Sequence, residues 1–182
     1  MKFAETKIPG AFRILPEMIE DERGGFGRLF CQSVFRERKL PGEIRQTSLS
    51  RNSKAGTLRG MHYQRAPAQE AKIVSCLRGR LYDVILDLRP ASPAFGKWES
   101  HQLDASEGVM LYIPEGCAHG FQTLTDHTEV YYQMFEFFRP ELAAGVRYND
   151  ARFAIHWPLP VSVISEKDLS YDDFEQVKAR GS

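Results

Sequence analysis

The sequence predicts an all-β fold, a β-sandwich or barrel of the jelly-roll kind with a few short helices. One observation is the texture of residues 45–138, where short runs of β-branched and aromatic residues recur at even spacing and are broken by Gly and Pro. The second is composition. With 182 residues, 42% hydrophobic and 26% charged, the chain has the size and balance of one globular domain with a real core, here residues 1–182.

Residues 1–30 alternate extended pieces with turns. Asp21-Glu-Arg-Gly-Gly25 is a turn signal between Ile14 and the aromatic residues Phe26 and Phe30. The glycines that follow are no dinucleotide fingerprint, because no strand–helix unit surrounds them. Residues 33–39 read as a short helix with Ser33 as N-cap, ended by Pro41-Gly42. Strands are expected over residues 56–64, 72–77, 80–88, 96–103, 109–113, 120–124 and 128–138, the last ended by Arg139-Pro140. The tail carries a Pro-rich piece, Trp157-Pro-Leu-Pro160, and Ser170-Tyr-Asp-Asp173 is placed to cap a short C-terminal helix.

Lys plus Arg equals Asp plus Glu, 24 of each, so the charge balance points neither to nucleic acid nor to an acidic membrane as partner. No apolar run approaches the roughly 20 residues of a membrane span. The N-terminus lacks the basic-then-apolar pattern of a signal peptide. The three cysteines, Cys31, Cys76 and Cys117, have no C-x-x-C spacing and read as free thiols in a reducing compartment. The expectation is a cytoplasmic protein.

The chemistry centres on Gly56-Thr-Leu-Arg-Gly-Met-His-Tyr-Gln64, which sets a cation, Arg59, and a titratable ring, His62, on a strand that fixes side chains better than a loop does. Of the five histidines, His101, His127 and His156 sit in ordinary strand or turn contexts, whereas His62 and His119 each closely follow a glycine or proline turn. A metal site would need more ligands: there is no H-x-H pair, and Glu70 is the nearest carboxylate to consider after His62. Metal-free acid–base work needs a base, a group that orients it, an acid on the other face and a cation for a developing oxyanion. His62 suits the base, Lys72 the cation and Tyr132 the acid, although Tyr132 reads equally well as a core aromatic. Asp168 and Asp83 stand among apolar neighbours and should have partners. Strict alternation puts Arg59 and His62 on opposite faces, so a bulge intervenes, or Arg59 serves a neighbouring subunit, or it is structural.

Several blocks in one order then resemble a known family. They are Thr57-Leu-Arg-Gly-Met-His-Tyr-Gln64, Ala71-Lys-Ile-Val74, Tyr82-Asp-Val84, Ser92-Pro-Ala-Phe-Gly-Lys-Trp98, Leu111-Tyr-Ile-Pro-Glu-Gly-Cys-Ala-His-Gly-Phe-Gln122 and Ile164-Ser-Glu-Lys-Asp168. Together they closely resemble the dTDP-4-dehydrorhamnose 3,5-epimerases. The resemblance implies a cupin-like jelly roll, a homodimer with exchanged N-terminal strands, no metal and no cofactor. It implies a 4-keto-6-deoxyhexose on a nucleoside diphosphate as substrate. It makes His62 the base, Asp168 its orienting partner, Lys72 the enolate-steadying cation and Tyr132 the acid. Arg23, Phe26, Gln46 and Arg59 fall to substrate binding, and His119 with Asp83 to a supporting pair beside the sugar.

The chain departs from the family pattern at Arg28, where glutamate is usual, at Phe138, where tyrosine is usual, and in Gln46-Thr-Ser-Leu-Ser50, where Q-x-N-x-S is usual. These lie on the nucleotide side, which leaves dTDP, CDP or GDP as the carrier and inversion at C3, C5 or both. The competing readings are a metal-dependent cupin isomerase or oxygenase and a non-catalytic sugar-nucleotide binder.

Overall fold

A computed structural model describes residues 1–174. The chain forms β1 (Lys2–Glu5), β2 (Phe12–Leu15), a hairpin of β3 (Met18–Asp21) and β4 (Gly24–Gly27), and α1 (Gln32–Glu37). It continues through β5 (Gln46–Asn52), β6 (Leu58–Gln64), β7 (Lys72–Arg78), β8 (Arg80–Asp87), β9 (Trp98–Asp104) and β10 (Met110–Ile113). β11 (Cys117–Thr123), β12 (Thr128–Met134), β13 (Ala143–Gly145) and α2 (Glu166–Leu169) complete it.

The strands make two facing antiparallel sheets. One has the order β1-β2-β10-β7-β12-β5, the other β13-β6-β11-β8-β9, and β3-β4 stands apart. Consecutive strands repeatedly cross from one sheet to the other, as in a jelly roll. Three apolar layers follow from strand alternation. Between the sheets, Val74, Leu111 and Val130 meet Leu81, Ile85, Leu103 and Phe121. On the outside of the six-stranded sheet, Phe35 of α1 packs with Ile14, Ile73, Tyr112 and Phe135. On the outside of the five-stranded sheet, the C-terminal segment lays Val146, Phe153 and Ile155 over Met61, Val84 and Leu86. The inner layer fills one end of the sandwich, and Tyr132 lies at its margin. The other end stays open.

Several boundaries differ from the sequence expectation. The N-cap of α1 lies two residues earlier than expected, at Cys31 rather than Ser33, and makes no side-chain cap bond. The strand expected from Gly120 begins at Cys117, so His119 lies within a strand rather than in a turn. β12 ends at Met134, and the aromatic residues that continue its pattern, Phe137 and Phe138, are exposed. The helix that residues 170–173 would cap falls outside the described residues; the helix seen, α2, precedes it, with the Ser165 hydroxyl accepting from the Asp168 amide. The cysteines are free, and burial pushes the thiols of Cys76 to about 11 and Cys117 to about 12.

The phase conflict between Arg59 and His62 resolves in β6. His62 pairs with His119 and Arg59 with Phe121, so two residues, Gly60 and Met61, oppose the single Gly120. This two-for-one bulge returns Arg59 and His62 to the same face. It needs both glycines. Gly60 has φ +140°, and a Cβ there would stand 2.5 Å from the Gly120 Cα; a Cβ on Gly120 would stand 2.9 Å from the Arg59 carbonyl oxygen. Gly60→Ala is therefore expected to cost on the order of 1–3 kcal/mol, read as a lower urea midpoint; an unchanged midpoint would show that the two strands can part without penalty.

Candidate active site

The open end of the sandwich is a cavity of about 570 Å³. Its two walls come from different sheets. Gln46 and Ser48 of β5, Tyr132 and Met134 of β12 and Lys72 of β7 line it from the six-stranded sheet, where register sets Tyr132 opposite Ser48 and Met134 between Lys72 and Gln46. Arg59, His62 and Gln64 of β6 line it from the five-stranded sheet. Asp168 and Lys167 of α2, with Tyr171, close the side.

His62 and Asp168 are 106 positions apart yet form a 2.7 Å bond between Nε2 and Oδ1. The second Asp168 oxygen accepts from the Gly60 amide at 3.2 Å. Burial is the largest influence on this carboxyl and pushes it upward. The bond and charge of His62, then the Gly60 amide and Ser165, outweigh burial and hold Asp168 below the usual aspartate range. An ionised Asp168 accepts from Nε2–H, which leaves Nδ1 of the neutral ring as the basic nitrogen.

Tyr132 stands on the opposing sheet. Burial first, and then the charge of Asp83, push its phenol well above the ordinary tyrosine range, against a smaller downward pull from Arg59. At neutral pH it is a proton donor. Arg59 is held by Asn52, whose buried Oδ1 accepts from the arginine Nε at 2.9 Å. Lys72 Nζ lies 2.6 Å from Glu70 Oε1, and both side chains are only 11% exposed.

The structure thus brings His62, Asp168, Lys72, Tyr132, Arg59 and Gln46 to one cavity. It does not bring the others. His119 and Asp83, expected beside the sugar, form a buried 2.8 Å pair behind the cavity wall, with the His119 ring edge-on to Tyr132 at 6.1 Å. The pair meets Tyr132 through the His119 ring and is not among the residues that line the cavity. Arg23 and Phe26 sit on the detached β3–β4 hairpin, where Arg23 pairs with Asp21 and Phe26 is 73% exposed. Within one chain they are not part of the site.

Glu70, Ser48, Lys167 and Tyr171 line the cavity, and Asn52 fixes Arg59; none was singled out for these places from sequence. Asn52 and Ser48 carry a signal only once β5 is known to face inward. Phe138 also lines the cavity, and its amide donates to Gln46 Oε1 at 2.6 Å. Arg28 is exposed just after the hairpin. Among the described residues no group of three or more His, Cys, Asp or Glu side chains is disposed to hold a metal ion, and no helix is long and apolar enough to cross a membrane.

The lowered pKa of Asp168 fixes a sign. Its ionised form stabilises the fold above the aspartate range of the unfolded chain, and that contribution disappears as pH falls through the lower folded-state value. Asp168→Asn is expected to destabilise more at about pH 5 than at about pH 2. Denaturant titrations at both pH values check this, and a pH-independent difference would remove the carboxylate from the account.

Comparison with known proteins adds the family. The model of the dTDP-4-dehydrorhamnose 3,5-epimerase family matches residues 5–176. A dTDP-4-dehydrorhamnose 3,5-epimerase of Shigella flexneri is 38% identical over 177 residues, covering 96% of each chain. The crystal structure of the enzyme of that name from Elizabethkingia anophelis superposes with a TM-score of 0.93 at 36% identity, covering 97% of each chain. The epimerase from Legionella pneumophila, solved in complex with dTDP-4-keto-L-rhamnose, gives 0.91 at 33% identity, covering 98% of this chain and 95% of that one. With a cupin-like β-sandwich, a cavity shared by two sheets and this degree of likeness along nearly its whole length, the chain belongs to the dTDP-4-dehydrorhamnose 3,5-epimerase family of isomerases.

Proposed function

We propose that this protein inverts C3 and C5 of a dTDP-linked 4-keto-6-deoxyhexose, as a cytoplasmic enzyme of deoxysugar synthesis that uses neither metal nor cofactor. The observation that carries the reading is the placement of a carboxylate-oriented imidazole on one sheet and a proton-bearing phenol on the other, with an ammonium at the cavity between them.

The chemistry follows from that placement. A C–H bond beside the C4 ketone is acidic only if the enolate is stabilised. His62 Nδ1 takes the proton, the C–H electron pair becomes the C=C bond, and the carbonyl π pair moves to the C4 oxygen. Lys72 donates a hydrogen bond to that oxygen. Reprotonation takes the π pair back to carbon from the far face, with the proton supplied by the Tyr132 hydroxyl, and the configuration is inverted. The phenolate regains its proton from solvent and the imidazolium loses its own, so each turnover leaves the enzyme unchanged. Asp168 stabilises the imidazolium and fixes the ring. Arg59, held by Asn52, supplies positive charge for the diphosphate.

The reading includes a homodimer of single-domain chains with exchanged N-terminal strands. Two features support it. The β3–β4 hairpin pairs with neither sheet of its own chain and leaves Met18, Ile19 and Phe26 exposed. β5, a seven-residue strand, ends the six-stranded sheet with Leu49 exposed, an edge open to a further strand. Exchange would carry Arg23 and Phe26 of one protomer to the cavity of its partner. In solution the particle is expected at twice the 20.8 kDa chain mass, checked by sedimentation equilibrium; a monomer would contradict the exchange.

In heavy water the wild type should place solvent deuterium at C3 and C5 of the dTDP-linked 4-keto sugar in preference to CDP- or GDP-linked analogues. His62→Ala should abolish this uptake, by about 100-fold or more, and uptake that persisted would remove His62 as the base. Tyr132→Phe should depress formation of inverted product more than exchange at the first carbon, followed by proton NMR; equal loss of both would argue against a donor on the far face.

A further inference from the structure

We infer that Glu70 is a positioning residue for the epimerisation, holding Lys72 where the C4 oxygen becomes negative; this deepens the epimerase reading and rests on it. Lys72 is the first residue of β7, and Glu70 stands two positions before it, in the segment that leads into the strand. Both line the cavity. Their 2.6 Å contact is made with 11% of each side chain exposed.

A lysine is a poor oxyanion ligand unless something restrains it. Its ammonium sits on a flexible four-carbon stem, whose freedom must be lost before the charge can act at one place. The flanking residues offer little restraint: register sets Met134 of β12 on one side of Lys72 and Ile113 of β10 on the other, and neither side chain accepts a hydrogen bond. Among the described residues Glu70 is the charged partner at the ammonium. An ammonium carries three donors. One bond to Glu70 fixes its direction and leaves two N–H groups for the enolate oxygen.

A solely structural pair explains these facts less well. A largely buried ion pair contributes little net stability, since desolvation offsets its attraction. This one also places a carboxylate in a cavity meant for a diphosphate-linked sugar. Asp168 is matched by His62, while Glu70 stands in the wall where unpaired negative charge would repel the ligand. The repulsion is tolerable because the charge is spent on Lys72. A binding role would therefore make Glu70 harmful, and a positioning role makes it useful in the step where the oxygen gains charge.

The two roles separate in kinetics. Glu70→Ala should lower kcat by about tenfold, the size expected for one charge-assisted hydrogen bond, with KM unchanged or lower. Glu70→Gln keeps an acceptor oxygen in the same place and should recover part of the loss. The decisive measurement is a double-mutant cycle on deuterium uptake at C5 of the dTDP-linked 4-keto sugar. In the Lys72→Ala background, Glu70→Ala should cause no further loss and should recover some uptake, because the group it positions is gone and the unpaired carboxylate is removed with it. Equal losses in both backgrounds, or a raised KM with unchanged kcat, would overturn the inference. Where Lys72→Ala leaves exchange too slow to compare, the kcat and KM of Glu70→Gln decide. Absence of uptake in the wild type would instead overturn the epimerase reading and this inference with it.

Discussion

The site depends on one carboxylate that serves two partners. Asp168 holds the His62 ring through Oδ1 and the Gly60 amide through Oδ2. It thereby joins the C-terminal segment to the strand that carries His62. The same contact secures the bulge, because Gly60 is one of the residues crowded against Gly120. Remove the bulge and Arg59 turns to the opposite face from His62. Remove the carboxylate and the ring loses both its orientation and the stabilisation of its charged form.

The two-sheet architecture then does what a single sheet cannot. A group that takes a proton and a group that returns one must approach a carbon from opposite sides if configuration is to change. A sandwich filled at one end and open at the other gives two facing walls at a fixed spacing. His62 stands on one, Tyr132 on the other, and Lys72 at the near end of the second. The inner core that stops at Tyr132 also raises its pKa, so the packing that shapes the cavity reinforces the protonated form of the phenol. The buried His119–Asp83 pair acts on that phenol from behind the wall.

Some of this was legible in the residues alone. Short strands separated by Gly and Pro gave the sandwich, and the ordered motif blocks gave the family. His62, Lys72, Tyr132 and Asp168 meet at one cavity, as the resemblance implied. The remainder depends on partners that lie far off in sequence. The bulge is invisible in β6 because it is a relation between Gly60-Met61 and Gly120 in another strand. Asn52 looks like any strand-end asparagine until Arg59 is found 2.9 Å away. From sequence Glu70 offers itself only as a carboxylate for a metal, because its contact with Lys72 exists only in the folded chain. His119 and Asp83 pair across two adjacent strands, β11 and β8, a contact that spacing within either strand does not show. Arg23 and Phe26 lie on a hairpin whose own chain offers it no sheet.

The proposed reaction requires the sugar to lie between the two walls, with the reacting carbon flanked by imidazole and phenol. The most direct measurement is a crystal structure of the protein with a dTDP-linked 6-deoxyhexose bound. The account predicts the C5 hydrogen directed at His62 Nδ1, the Tyr132 hydroxyl on the opposite face of the ring, and the C4 oxygen next to Lys72. A sugar bound outside the cavity, or with His62 and Tyr132 on the same face of its ring, would contradict it.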